Sequence, residues 1–180
     1  SRAGVTPSAA QSEVFVSGGS ERLRLNMDKE GDLRRILAAS ELFLDLPEIE
    51  RDILMQAMQP RDLMAGEVLY RQGAAGDSMY LLAEGLLTSF VNLANFEGET
   101  KVEQIESGRH FGEDSILTGK NRSSTMTAAT DCVVFEIPKA VVLDLARRRG
   151  DFLAMLNRDV ALSAERIHRS KTKASKSKMG

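Results

Sequence analysis

One cysteine and two histidines leave this 180-residue chain little covalent or metal chemistry to hold it together. Cys132 has no partner for an internal disulfide, which excludes a disulfide-stapled scaffold and fits a reducing compartment. Lying in the apolar run Cys132 to Phe135, it is expected to be a small core residue. His110 and His168, with that one cysteine, form no metal-ligand pattern, so no metal site is predicted. No stretch of 18 apolar residues occurs, so nothing reads as a membrane-spanning helix. The N-terminus lacks the apolar segment of a signal peptide, and a cytoplasmic location is expected. An excess of one charge sign is missing too. The formal net charge of −2 gives no reason to expect nucleic acid or an anionic membrane as partner. The chain opens on Ser1, not methionine, which predicts a processed or excised part of a longer product.

What is present is an ordinary globular composition, 42% hydrophobic and 28% charged. It predicts one domain of about 130 residues with tails. Residues 1–31 are rich in Ser, Gly and Ala and read as a flexible lead-in, or the remnant of a preceding segment. Short strands at Val14 to Val16 and around Leu23 and Leu25, turned at Ser17 to Ser20, are compatible with it. Asp32 is the expected N-cap of a helix carrying Leu33, Ile36, Leu37 and Leu42. Pro47 marks the start of a second, with Ile49, Ile53, Leu54, Ala57 and Met58 at helical spacing.

Short apolar runs follow: Val68 to Tyr70, Met79 to Ala83, Leu86 to Leu93, Val102 to Ile105, Thr125 to Ala129 and Cys132 to Ile137. Turn signals separate them, which predicts an antiparallel sandwich or jelly roll. Beyond Pro138 the helical period returns, first at Val141, Val142 and Leu145. It resumes through Phe152, Leu153, Leu156, Val160, Ala164 and Ile167. From Arg169 to Lys178 there are five basic residues and no acidic one. Residues 169–180 are expected to be a solvated, disordered basic tail, with a nucleic-acid or membrane-surface role the less favoured reading.

The most informative stretch is Phe111 to Thr125. Gly112 lets the backbone approach a ligand closely, and a short helix starting there favours an anion at its N-terminus. Glu113 is an acceptor suited to a sugar hydroxyl, and Arg122 a planar fork of donors for phosphate oxygens. These residues resemble the phosphate-binding cassette of cyclic-nucleotide-binding domains. The family pattern is roughly F-G-E-x-[AS]-L, a short variable stretch, then R-[SAT]-[AS]-T, and here it reads FGEDSIL-TGKN-RSST without a gap. Pro60 to Leu87 resembles the family's first β-roll repeat, and the likeness covers roughly Leu33 to Arg169. Asp114 and Ser124 depart from a usual apolar residue and a usual alanine.

The resemblance implies an α+β fold: an antiparallel, jelly-roll-like β-roll flanked by N- and C-terminal helices, with a short cassette helix. The sensor domain is assigned to residues 32–168. Its implied ligand is cAMP or cGMP, with no cofactor and no catalysis. The candidate ligand-binding residues are Phe111, Gly112, Glu113, Asp114, Ser115, Arg122, Ser123 and Ser124. Ile116 and Leu117 are expected to pack the cassette helix. In the family a threonine at the position of Ser123 accompanies cGMP preference and an alanine cAMP preference. Serine is intermediate, and cAMP is favoured. An apolar residue of the last helix (Leu156, Val160 or Ile167) would cover the base.

A transcription factor of the catabolite-activator type needs a helix-turn-helix of about 60 residues after the sensor, and only a dozen residues follow Ile167. No DNA-binding module is therefore expected in this chain. A phosphodiesterase would need metal ligands or an acid–base pair at the phosphate, which the cassette lacks. The cytoplasmic C-terminal domain of a bacterial ion channel is the alternative reading. A domain that keeps the fold with a lost or different ligand is another. A homodimer, or an effector domain linked in the full gene product, is compatible with either.

Overall fold

The computed structural model describes residues 29–94 and 96–179. The lead-in expectations before Lys29 lie outside them. Helix α1 spans Lys29–Ala39 and α2 Glu48–Ala57; strands follow as β1 Gln59–Leu63, β2 Val68–Tyr70, β3 Ser78–Glu84, β4 Leu86–Asn92, β5 Glu99–Glu106 and β6 His110–Phe111. Next come α3 Glu113–Thr118, β7 Thr125–Ala128, β8 Cys132–Pro138, α4 Lys139–Arg148 and α5 Gly150–Met179. The strands form two antiparallel four-stranded sheets, in the orders β1-β8-β3-β6 and β2-β7-β4-β5. This is the β-roll flanked by helices that the sequence predicts.

The two-residue period of β3 and β8 explains how the layers meet. Met79, Leu81 and Ala83, with Val133, Phe135 and Ile137, pack on the helices, among Leu33, Leu37, Phe43, Leu54, Phe152 and Leu156. Tyr80, Leu82 and Val134 turn the other way and close the roll with Leu87, Ile105, Phe111 and Met126. Successive side chains of a strand point to opposite faces, so one strand serves both cores. Cys132 is buried in the roll core as expected.

Several expectations give way. Asp32 lies inside α1, where its carboxylate pairs with Arg35 instead of capping the helix. Leu42 lies past its end. Pro47 does stand at the N-cap of α2, but Ile49 and Ile53 are exposed, and the helix buries Leu54 and Met55. Strand β1 carries only one buried residue, Leu63, and contains Pro60. As the outer strand of its sheet it tolerates a residue that cannot donate to the ladder, and it has no apolar alternation to betray it. The basic segment expected to be a disordered tail continues α5, a 30-residue helix. Neither glycine nor proline interrupts residues 151–179, and Lys, Ala and Arg are good helix formers. No helix of the described residues is long and apolar enough to cross a membrane.

Candidate functional site

Arg122 is the centre of the site. The sequence places it among polar turn residues, yet it is 4% exposed. Its guanidinium lies over the Tyr70 ring at 4.2 Å, and that ring joins Tyr80 and Phe111 in an aromatic cluster. Nη1 donates to the Gly112 carbonyl and Nη2 to the Ser78 carbonyl, each at 2.7 Å. Nε is buried without a partner. A guanidinium carries five N–H donors and a permanent charge. Here the two hydrogen bonds that hold it go to neutral carbonyls, so its charge is left for an anion.

Two glycines make room for it. Gly112, the N-cap of α3, has φ of +86°, and a Cβ there would stand 2.8 Å from Arg122 Nη1. At Gly76 a Cβ would stand 2.6 Å from Arg122 Nε. The guanidinium thus fits only against bare backbone.

Arg122 lines a cavity of about 380 Å³ beside Tyr70, Phe111, Gly112, Glu113 and Asp114. Ser123 and Ser124 also reach it. Seven of the eight sequence-predicted residues therefore surround one space; the eighth, Ser115, is buried behind it with its hydroxyl unpartnered. Ser123 Oγ donates to Asp114 Oδ2 at 2.6 Å, so the unusual Asp114 orients the residue after the arginine. Thr125 is committed to the fold: its hydroxyl accepts from the Gln72 N–H. Ile116 packs in the helix-side core with Leu117 against it, as expected.

Helix α5 crosses the cavity. Asp159, Ser163, Arg166 and Ile167 reach it at positions i, i+4, i+7 and i+8, one helical face. Of the three apolar lid candidates only Ile167 is there; Leu156 is fully buried in the helix-side core. Two polar ties pin the helix to the roll. Arg166 Nη1 stands 3.4 Å from Glu103 Oε2, whose other oxygen accepts from Arg109. His110 Nε2 stands 2.7 Å from Asp159 Oδ2 and 3.3 Å from Glu113 Oε1.

His110, Glu113 and Asp159 offer ligand atoms within 4.8 Å of one another. The 2.7 Å separation is a hydrogen-bond length, whereas two ligands on one cation would stand about 3 Å apart or more at bond lengths of about 2.1 Å. At that length His110 and Asp159 are hydrogen-bonded, and Glu113 lies within reach of the same ring nitrogen. Burial opposes charge on His110, but the hydrogen bonds to Asp159 and Glu113 outweigh it and carry the ring up to about 9. Burial likewise works against the Asp159 carboxylate, and its bond to His110 holds it below the usual range. Sequence reasoning missed Asp159, Arg166, Glu103, Gly76 and the tyrosines. It noticed His110 only as a neighbour of the cassette.

A model of the cyclic nucleotide-binding domain matches residues 60–149, half of the chain. The chain belongs to the cyclic nucleotide-binding domain family. It is 31% identical over 128 residues to a cAMP-dependent protein kinase regulatory subunit of Blastocladiella emersonii, covering 68% of this chain and 32% of that protein. A cyclic nucleotide-gated potassium channel of Rhizobium etli is 33% identical over 97 residues, 54% of this chain and 25% of the channel. The chain thus spans about a third or less of these curated relatives. Among solved structures, the regulatory domain of Toxoplasma gondii PKA with cAMP matches at TM-score 0.60 and 28% identity, over 64% of this chain and 44% of that one. Thermus thermophilus catabolite activator protein matches at TM-score 0.59 and 27% identity, over 76% and 62%. The cyclic nucleotide-binding domain is a regulatory, ligand-sensing module, not a catalytic one.

Proposed function

We propose that this cyclic nucleotide-binding domain, assigned to residues 32–168, senses cAMP in preference to cGMP and transmits binding through its last helix. The observation that carries this reading is Arg122, a buried charge on the cavity wall whose two hydrogen bonds go to neutral carbonyls. A cyclic phosphate supplies the missing anion. Glu113 accepts from the free ribose hydroxyl, and the purine lies toward Ile167 on α5. Phe111, Gly112, Asp114, Ser115, Ser123 and Ser124 shape the surrounding wall. A cavity of about 380 Å³ suits a ligand of this size.

Support for cAMP is twofold. Position 123 carries a serine, not the threonine that accompanies cGMP preference. The Blastocladiella relative is named for its dependence on cAMP, and the Toxoplasma structure is a complex with it. Signalling follows because α5 contributes four residues to the cavity wall, so ligand and helix placement bias one another. The relatives suggest two effector classes for this helix, a cytoplasmic kinase and a channel.

A ligand that binds only the folded protein stabilises it by mass action, about 2.7 kcal/mol at one hundred times Kd. Thermal unfolding with cAMP, cGMP and 5′-AMP is therefore expected to show midpoint rises in the order cAMP, cGMP, 5′-AMP. No rise with either cyclic nucleotide at millimolar concentration would overturn the reading, and a larger rise with cGMP would reverse the preference.

A further inference from the structure

The three side chains His110, Glu113 and Asp159 come from three separate elements: β6, α3 and α5. One ring nitrogen, His110 Nε2, serves both carboxylates, at 2.7 Å to Asp159 and 3.3 Å to Glu113. The imidazole is only 15% exposed, and the Phe43 ring stands T-shaped to it with centroids 6.4 Å apart. Glu113 meets His110 through Oε1, which leaves its second oxygen to accept from another donor.

A buried carboxylate, Glu113, and a partly buried one, Asp159, repel each other unless a cation stands between them. Protonated His110 is that cation. The other charges near it do not replace it. Arg158 reaches Asp159 Oδ1 at 3.4 Å from the solvent side and is also held by Glu41 at 2.6 Å. Arg109 and Arg166 on the cavity wall are committed to Glu103. Arg122 is held by the carbonyls of Gly112 and Ser78.

We propose that His110 is a positioning residue for the sugar end of the ligand: it fixes Glu113 through one oxygen, leaves the other for the ribose hydroxyl, and ties that carboxylate to Asp159 on the C-terminal helix. This rests on the reading of Glu113 as the ribose acceptor. Helix and sugar then share one electrostatic junction. A ligand that orders Glu113 strengthens the hold on α5, and a loosened α5 blunts recognition of the sugar while Arg122 still grips the phosphate.

Proton loss from His110 has a defined direction. Its ring is raised from 6.5 to about 9 in the folded protein. The stability it contributes is complete below 6.5, fades as pH rises and is gone above about 9. Above that range two like charges face each other across the junction.

The test compares affinities for cAMP and 2′-deoxy-cAMP. The proteins are the wild type, His110→Ala and Asp159→Asn at pH 7, and the wild type alone from about pH 7 to about pH 10. Circular dichroism monitors folding. A hydrogen bond from the sugar to an ionised, fixed acceptor predicts about a tenfold preference of the wild type for cAMP at neutral pH. The preference is expected to shrink to about twofold in both variants, and in the wild type at the alkaline end. Should His110→Ala fail to fold, Asp159→Asn and the wild-type pH series decide the matter. Folded variants that keep the wild-type preference, or a wild-type preference that is flat with pH, would overturn the inference alone. A wild type that binds both ligands equally would remove the ribose role of Glu113, and the inference with it.

Discussion

Replacing Arg122 by alanine is expected to weaken cyclic-nucleotide binding 30-fold to several-thousand-fold. Removing one partner of a desolvated charge pair costs roughly 2–5 kcal/mol, at about 1.4 kcal/mol per decade of affinity. The substitution also reaches the fold. The carbonyls of Gly112 and Ser78 lose their guanidinium donors, and an unpaired buried polar group costs about 1–3 kcal/mol. Arg122→Ala should therefore unfold at a lower temperature than wild type. Arg122→Lys keeps the charge but not the planar fork, and is expected to recover part of the affinity and little of the bracing. Thermal unfolding of all three proteins, with calorimetric titration below their midpoints, checks both effects. A folded Arg122→Ala protein that binds within threefold of wild type would show that the phosphate does not sit on this residue.

The second large effect is expected at a residue that touches no ligand. A Cβ on Gly76 would lie 2.6 Å from Arg122 Nε, 2.6 Å from Ser115 Cβ and 2.7 Å from Arg122 Cζ. The guanidinium cannot swing away cheaply, because it lies over Tyr70 and is bonded to two carbonyls. Overpacking of this kind costs roughly 1–3 kcal/mol. Gly76→Ala should lower stability by about that much and weaken nucleotide binding about tenfold or more, because the arginine must leave its seat. Gly150→Ala is the matched control. Nothing lies within 4 Å of a Cβ there, so stability should be unchanged or slightly raised and binding unaffected. Equal binding by the Gly76 and Gly150 variants would mean that the arginine's position is not what the ligand reads.

The parts of this protein that were legible in its sequence are those encoded locally. The strands at Val68–Tyr70, Ser78–Glu84 and Cys132–Pro138 carry dense apolar runs between turn residues. The cassette was legible because Gly112, Glu113 and Arg122 lie within a contiguous stretch. What stayed hidden depends on tertiary placement. The partners His110 and Asp159 are 49 residues apart, and on an amphipathic helix Asp159 looks like any solvated charge. Strand β6, only two residues long, exists because it pairs with Tyr80 and Leu81. The burial of Arg122 was equally hidden. Its neighbours in sequence are polar, and its burial comes from Tyr70 and Gly76 in a different part of the chain. Leu156, Val160 and Ile167 share one helical pattern, but α5 crosses from the core to the cavity along its length, so only Ile167 reaches the ligand space.

The central claim is that Arg122 receives the cyclic phosphate. A crystal structure of this chain with cAMP tests it most directly. The account predicts a phosphate oxygen within hydrogen-bond distance of the Arg122 guanidinium, and the 2′-hydroxyl against Glu113. Nucleotide density with its phosphate away from Arg122, on another wall of the cavity or on the outer surface, would contradict it.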